Sequence, residues 1–297
     1  MKSIKRQHKS AADIVILVFM GFVIFITLYP FLNVAAKSFN DPLDTVKGGI
    51  HILPREFTMA NYTGLFEAGS NLPAAFTMSV LRTIVGTVTG VFCSAMFAFT
   101  LSRRDFMFQK VFTVLLVVTM YVGGGMIPEY ILIRNLGLIN SFWVYIIPAI
   151  ISAFNVIVIR AFIDNVPFSL QESAKIDGAN DLLIFFKIIL PLCKPVLATV
   201  ALFIAVGQWN SWFDTYLYAR GAKGLSTLQY ELMKILDSAQ SAGSAVDIHS
   251  EGLRSARRNP EAIKMAITVI ATAPILMVYP FLQKYFVSGM TIGAVKE

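Results

Sequence analysis

A chain of 297 residues with 56% hydrophobic but only 14% charged side chains falls well short of the roughly 25% charge of a soluble domain. That excludes a water-soluble enzyme or binding module. The formal net charge of +7 does not mark a nucleic-acid binder, because the basic residues gather at the ends of apolar stretches, as membrane topology requires. Cys93 and Cys193 lie in or beside apolar runs and read as buried free thiols, not as a disulfide framework.

A hydrocarbon core about 30 Å thick takes roughly 20 apolar residues at about 1.5 Å each. Six segments reach that length: 13–34, 76–101, 109–133, 142–163, 185–208 and 262–286. The fold class expected is therefore an all-α membrane protein. A tail over 1–12 carries Lys2, Lys5, Arg6 and Lys9. The first span is too long for a signal-peptide core and lacks a cleavage site after it, so it reads as retained. The short loop after the second span holds Arg103, Arg104 and Lys110. By the positive-inside rule both basic groups belong in the cytoplasm. This places 35–75 and 209–261 outside, and the 164–184 connection and the tail 287–297 inside.

Along the second span Gly86, Gly90 and Ser94 repeat every fourth residue, a spacing that lets helices approach closely, within the chain or at a subunit interface. Gly123–Gly125 followed by Pro128 should interrupt or end the third helix. The ionisable residues of the spans sit near their ends (Arg82, Glu129, Arg134, Arg160, Lys187, Lys264), and Pro191 and Pro195 flank Lys194 so as to keep it near the cytoplasmic face. No carboxylate or histidine falls at mid-depth, which argues against an ion-driven secondary transporter and an intramembrane hydrolase. The 209–261 loop contains an amphipathic stretch, "STLQYELMKILDSA", then a Ser/Ala/Gly-rich run and the basic "RSARR" before Pro260, which suits the first turn of the last span.

The most specific pattern lies between the fourth and fifth spans, in 165–191. Its polar half should form a short helix that bends at Gly178, where glycine tolerates a backbone that other residues avoid. A second helix should then merge into the fifth span, with Pro191 and Pro195 restarting or kinking the chain as it enters the membrane. The residues Glu172-Ser173-Ala174, then Gly178, then Ile188, then Leu190-Pro191 resemble the signature of ABC importer permeases: Glu-Ala-Ala, three residues, Gly, nine residues, Ile, one residue, Leu-Pro. Ser173 for Ala is the one departure. "PREFTMANY", "GLINSFWVYIIPAIISAFN", "GQWNSWFD" and "LQKYFVSGMTIGAVKE" extend the resemblance to the maltose-type second permeases of carbohydrate importers. Within these the chain is similar to a subgroup linked to complex or acidic oligosaccharides such as alginate or pectin fragments.

That resemblance implies a type I importer permease in a bacterial inner membrane. Its partners would be a second permease, two ATPase subunits and an extracytoplasmic solute-binding protein, with membrane lipid around it. It implies ATPase coupling through Glu172, Ser173, Ala174, Asp177, Gly178, Ile188, Leu190 and Pro191; the C-terminal tail reads as a second ATPase contact or, equally, as a frayed terminus. ATP and Mg would bind to the partner ATPase and no cofactor to this chain, which lacks a G-x-x-x-x-G-K-[ST] phosphate loop; "GAKGLST" over 221–227 does not end in that pattern. Sugars are held by aromatic faces and amides, which makes Tyr121, Asn155, Trp209, Asn210 and Trp212 the candidates for the substrate path; each aromatic among them equally suits a membrane-interface anchor. Arg82 and Arg134 would suit an acidic sugar, and equally lipid phosphate or an intersubunit ion pair. The competing reading is an ion-coupled transporter or channel of the same helix count; a six-span scaffold or assembly factor is a third.

Overall fold

The computed structural model describes residues 11–66, 71–242 and 260–294. The basic N-terminal tail, the "RSARR" run and the last three residues of the C-terminal tail lie outside the described residues, as do the side chains beyond 278. The chain divides into two compact units, one from 1–70 and 235–272, the other from 71–234 and 273–297.

The first unit begins with α1 (Ala11–Ser38). It is apolar all round and none of its apolar window is buried within the chain, so it must be covered by lipid or another subunit. After it the chain ties a polar knot. Asn40, fully buried, donates to Asp44 (3.0 Å) and Thr45 (3.1 Å) and accepts from the N–H groups of Arg55 (2.7 Å) and Glu56 (2.9 Å). The Asn61 amide reaches the carbonyls of Ser38 and Asn40, both at 2.9 Å. "PREFTMANY" thus supplies the partners for otherwise orphaned backbone groups. Asp44 lies within α2 (Pro42–Val46) and its carboxyl is held low, chiefly by the Asn40 hydrogen bond and also by Arg55 and Lys47. Lys37, in the last turn of α1, pairs with Glu261 at 3.2 Å.

The second unit is organised around α3 (Leu72–Ser102). Its small-residue face is buried and packs internally, which decides between the two uses of that pattern: a β-carbon on Gly86 would lie 2.8 Å from Nε2 of Gln208, and one on Gly90 3.1 Å from Ile204. Gln208 and Ile204 belong to the helix of the fifth span, so the two helices meet without slack. Gly86→Val should therefore cost about 1–3 kcal/mol through overpacking, read as a lowered unfolding midpoint of the purified protein; an unchanged midpoint would mean that the two helices are free to part.

Next come α4 (Gln109–Tyr121) and α5 (Met126–Asn135). The glycine run between them turns the chain through 119°, as the sequence predicts. The fourth span differs from expectation. Only α6 (Ala153–Ile163) is a regular helix, preceded by a tight turn over Phe142–Tyr145 and irregular chain. Pro148 breaks the ladder; Val144–Ile146 are buried, whereas Ile147, Pro148, Ala149 and Ile151 of the irregular stretch are exposed. Tyr145, 1% exposed, has its carbonyl bonded by Gln208 Nε2 at 3.0 Å and donates its hydroxyl to the Leu225 carbonyl at 2.7 Å.

The connector holds α7 (Ser169–Ile176) and α8 (Asp181–Leu192), the latter bent 82° from α9 (Lys194–Asn210). The kink expected at Pro191 and Pro195 is thus a sharp bend that sets the second connector helix off from α9. Pro191 and Pro195 cannot donate to the carbonyls four residues back. The chain compensates with a wide turn over Phe185–Ile189, in which the Leu190 N–H bonds the Phe185 carbonyl, and then with the sharp bend at Cys193. Lys194 opens α9 and is exposed. Cys193 is buried and Cys93 half-buried, both as free thiols. The amphipathic loop stretch forms α11 (Leu228–Ala242), after α10 (Phe213–Tyr218). α12 (Pro260–Ala294) ends the described chain. Among the described residues, three uninterrupted helices are long and apolar enough to cross a bilayer, five spans if each bent pair counts as one, and α6 adds a shorter apolar helix.

Candidate functional site

The elbow at Gly178 is built by local backbone chemistry. The α7 helix ends with Gly178 in the left-handed region, φ +82°. The Ala179 N–H bonds the Ala174 carbonyl (2.9 Å) and the Gly178 N–H bonds the Lys175 carbonyl (3.0 Å), the paired closure that a left-handed residue permits. No atom lies within 4 Å of a β-carbon built on Gly178, so backbone conformation, not crowding, calls for glycine here. Asn180 then caps α8, its side-chain oxygen accepting the Leu183 N–H at 2.8 Å.

The two faces of α7 differ sharply. Inward, Gln171 is 4% exposed, and Ala174, Ile188 and Leu190 pack against the apolar cluster of Ile159, Ile163, Ile184, Phe185 and Ile189. Outward, Glu172, Ser173 and Asp177 are exposed, and Ile176 is 86% exposed. The Ser173 departure from the signature falls on this exposed outer face. Pro191 is exposed at the end of α8. Among the described residues Glu172 has no ion-pair partner.

The inner side is fastened by charges that sequence reading used only for topology. Arg103, directly after α3, has a side chain 6% exposed and contacts Asp105 at 2.7 Å and Asp181 at 3.2 Å. Lys175 of α7 contacts the same two carboxylates, at 3.1 Å and 3.8 Å. Arg103 also donates to Gln171 at 3.2 Å, and Arg104 lies over the Phe168 ring at 4.7 Å. The hydrogen bond from Arg103, with that from Lys175 next, holds the Asp105 carboxyl well below its ordinary 3.8. A depressed carboxylate contributes wherever pH exceeds its unfolded value and fails only as pH falls through the lower folded one. These contacts therefore persist throughout the neutral range. The available signal was a carboxylate close in sequence to basic residues in each segment: Asp105 directly after Arg103 and Arg104, and Asp181 within the connector between Lys175 and Lys187.

At the opposite end of α3, Arg82 (2% exposed) is surrounded by acceptors. It reaches Gln208 Oε1 at 3.0 and 2.9 Å and Asp214 at 3.1 and 2.5 Å, with its guanidinium 4.2 Å from the centre of the Tyr145 ring. The expectation that Arg82 faces an acidic sugar, lipid phosphate or another subunit is corrected: its donors are consumed within the chain. Arg134 is exposed and has no ion-pair partner among the described residues.

The substrate-path candidates differ in exposure. Tyr121 is 83% exposed beside the glycine break, whereas Asn155 is 7% exposed on α6. Trp209 is 6% exposed, its ring edge-on to Phe76 at 6.0 Å. Trp212 is half-buried among Phe213 and Tyr216. Asn210 is exposed and accepts from Gln229 at 3.3 Å. Beside it Glu231 of α11 ties the loop to the start of α3, accepting from Asn71 at 2.8 Å and pairing with Ser226 and Lys234. Burial pushes its carboxyl up, but the bonds from Lys234, Ser226 and Asn71 outweigh that and leave it low.

The family model for the binding-protein-dependent transport system inner membrane component matches residues 10–292. The chain belongs to this family. Family members are the membrane components of ABC importers, and this permease is accordingly the non-catalytic membrane part, with the ATPase a separate chain. It is 38% identical over 285 residues to the polygalacturonan/rhamnogalacturonan transport system permease protein YtcP of Bacillus subtilis (strain 168), covering 96% of this chain and 98% of that one. It is 36% identical over 300 residues to Protein LplC of the same organism, covering both chains fully. A crystal structure of a bacterial ABC transporter involved in the import of the acidic polysaccharide alginate contains a chain of similar fold, with a TM-score of 0.82 and 27% identity over 96% of this permease and 100% of that chain.

Proposed function

We propose that this permease imports an acidic oligosaccharide of the galacturonate or related uronate class, and that the Gly178 elbow is where a partner ATPase drives it. The observation that carries the coupling role is the two-faced α7: its inner face is fastened to the bundle, while Glu172, Ser173, Asp177 and Ile176, the last 86% exposed, face away from it. That outer face, with a carboxylate at Glu172 that has no ion-pair partner among the described residues, is left available to a protein partner. Glu172 would pair with a basic residue of the ATPase; Ala174, Ile188, Leu190 and the Pro191 bend would hold the elbow's shape. Closure of two ATPase subunits would then push the elbow and switch the bundle between two packed states, with ATP and Mg bound in those subunits.

In this reading the connector 165–191 and both termini (1–12 and 287–297) are cytoplasmic. The segments 35–75 and 209–261 face a solute-binding protein, and a second permease completes the pathway across the bacterial inner membrane. The acidic-substrate class is supported by the relatives named above and by Arg134, an exposed cation. Tyr121, Asn210 and Trp212 are the better placed of the path candidates, because Asn155 and Trp209 are buried.

Glu172→Lys tests the docking role. Reversing a charge that becomes buried in an interface should weaken ATPase binding at least about tenfold, read by co-purification of the ATPase with tagged permease. Undiminished co-purification would remove Glu172 from the interface.

A further inference from the structure

We propose that Arg103, Asp105, Lys175 and Asp181 form the joint that carries motion of the elbow into α3, with Arg103 as its positioning residue. The inference rests on the reading that the elbow receives the ATPase stroke.

Two routes lead from the elbow into the bundle. The covalent one runs through α8, which contains a widened turn over Phe185–Ile189 and meets α9 at 82°. Helices interrupted in this way flex at the interruption, so a push along α8 is partly absorbed there. The second route is the charge ring. Each of its two cations touches both of its carboxylates, at 2.7, 3.2, 3.1 and 3.8 Å, so signs alternate around it and every neighbour attracts. Its members come from the residues just after α3, from α7 before the elbow and from α8 after it. Both arms of the elbow are therefore fixed to one point.

Arg103 suits the centre of that point. Its planar fork takes the Asp105 carboxylate through two nitrogens, at 3.0 and 2.7 Å, and a third nitrogen reaches Gln171 on the inner face of α7. A lysine ammonium cannot bridge such a set in a fixed geometry. Arg103 directly follows α3, and α3 packs closely on α9 at Gly86 and Gly90, where a β-carbon would lie 2.8 Å from Gln208 and 3.1 Å from Ile204. A displacement of the ring must therefore shift α3 and α9 together, because packed interiors transmit strain.

The test uses the complete complex, both permeases with the ATPase and a binding protein, in proteoliposomes, with a galacturonate trimer as probe and sugar delivered per ATP hydrolysed as the readout. Arg103→Gln should keep the ATPase bound and hydrolysing near the wild-type rate while sugar per ATP falls about tenfold. Arg103→Lys should lie between the two. Arg103→Gln combined with Asp181→Asn should be no worse than Arg103→Gln alone, since both break one joint. Wild-type sugar per ATP in Arg103→Gln overturns the proposal, as do additive losses in the double variant. Loss of the ATPase from the complex also overturns it, since the ring would then build the docking surface. If Arg103→Gln fails to accumulate, Asp181→Asn, altered at an exposed position, takes its place: a fall in sugar per ATP supports the joint, and a wild-type ratio overturns it. A wild-type complex without ATP-driven uptake would instead sink the import reading, and the joint with it.

Discussion

Gly178→Val is expected to cut ATP-driven uptake by at least about tenfold while leaving the permease at wild-type levels in the membrane. At φ +82° a left-handed backbone costs a residue with a β-carbon about 1–2 kcal/mol, and more if it is β-branched. Space is not the cause, because nothing approaches within 4 Å of an added β-carbon. To relieve the strain the residue must leave the left-handed region. That breaks the closing bonds from Ala179 to Ala174 and from Gly178 to Lys175. It also turns Lys175 away from Asp181, which follows the elbow, and so damages the ring that fastens both arms. Membrane insertion depends on the apolar spans and is untouched. Gly178→Ala should be milder, since alanine carries the smaller penalty. Uptake measured beside an immunoblot of the membrane fraction checks this; wild-type uptake by Gly178→Val would show that the elbow needs no left-handed residue.

The second large effect is on stability. Asp214→Ala is expected to destabilise the permease by about 3–5 kcal/mol, the cost of stripping a buried charge of its partner. Arg82 has a side chain only 2% exposed, and Asp214 is 23% exposed, so some solvent screening places the effect toward the lower end. Gln208 and the Ser211 carbonyl would remain as acceptors but carry no negative charge. Arg82→Met combined with Asp214→Ala should be less harmful than Asp214→Ala alone, because removing both ions removes the unpaired charge. Thermal unfolding of the purified permease measures both variants. A double variant as unstable as the sum of the two singles would show that the pair acts independently.

The parts of the fold that were legible in sequence depend on local chemistry. Length and apolarity place the first, second and last helices. Gly123–Gly125 announces the broken third span, and the spacing from Glu172 to Pro191 announces an elbow at Gly178. The fourth and fifth spans were less legible, because apolar composition does not distinguish a helix from irregular chain. Around Tyr145 the decisive partner is Gln208, 63 residues away. The prolines at 191 and 195 signalled a kink, but not that α8 would lie at 82° to α9.

Within the site, the residues of the signature were legible and the residues that hold it were not. Arg103 read as a topology signal because its partners Gln171 and Asp181 are brought to it only by folding. Arg82 read as an exposed cation for the same reason: nothing local foretells that Gln208 and Asp214 close around it. Charge in a membrane protein is assigned by position along a span, whereas its use is decided by contacts distant in sequence.

The central claim, that ATP hydrolysis in another chain drives oligosaccharide import through this permease, is tested most directly by reconstituting it with the second permease, the ATPase and the binding protein. Uptake of a labelled galacturonate trimer would be measured with ATP, without ATP, and with proton or sodium gradients in place of ATP. The expected result is uptake that requires both ATP and the binding protein and ignores either gradient. Accumulation driven by an ion gradient, with the ATPase omitted, would contradict the account.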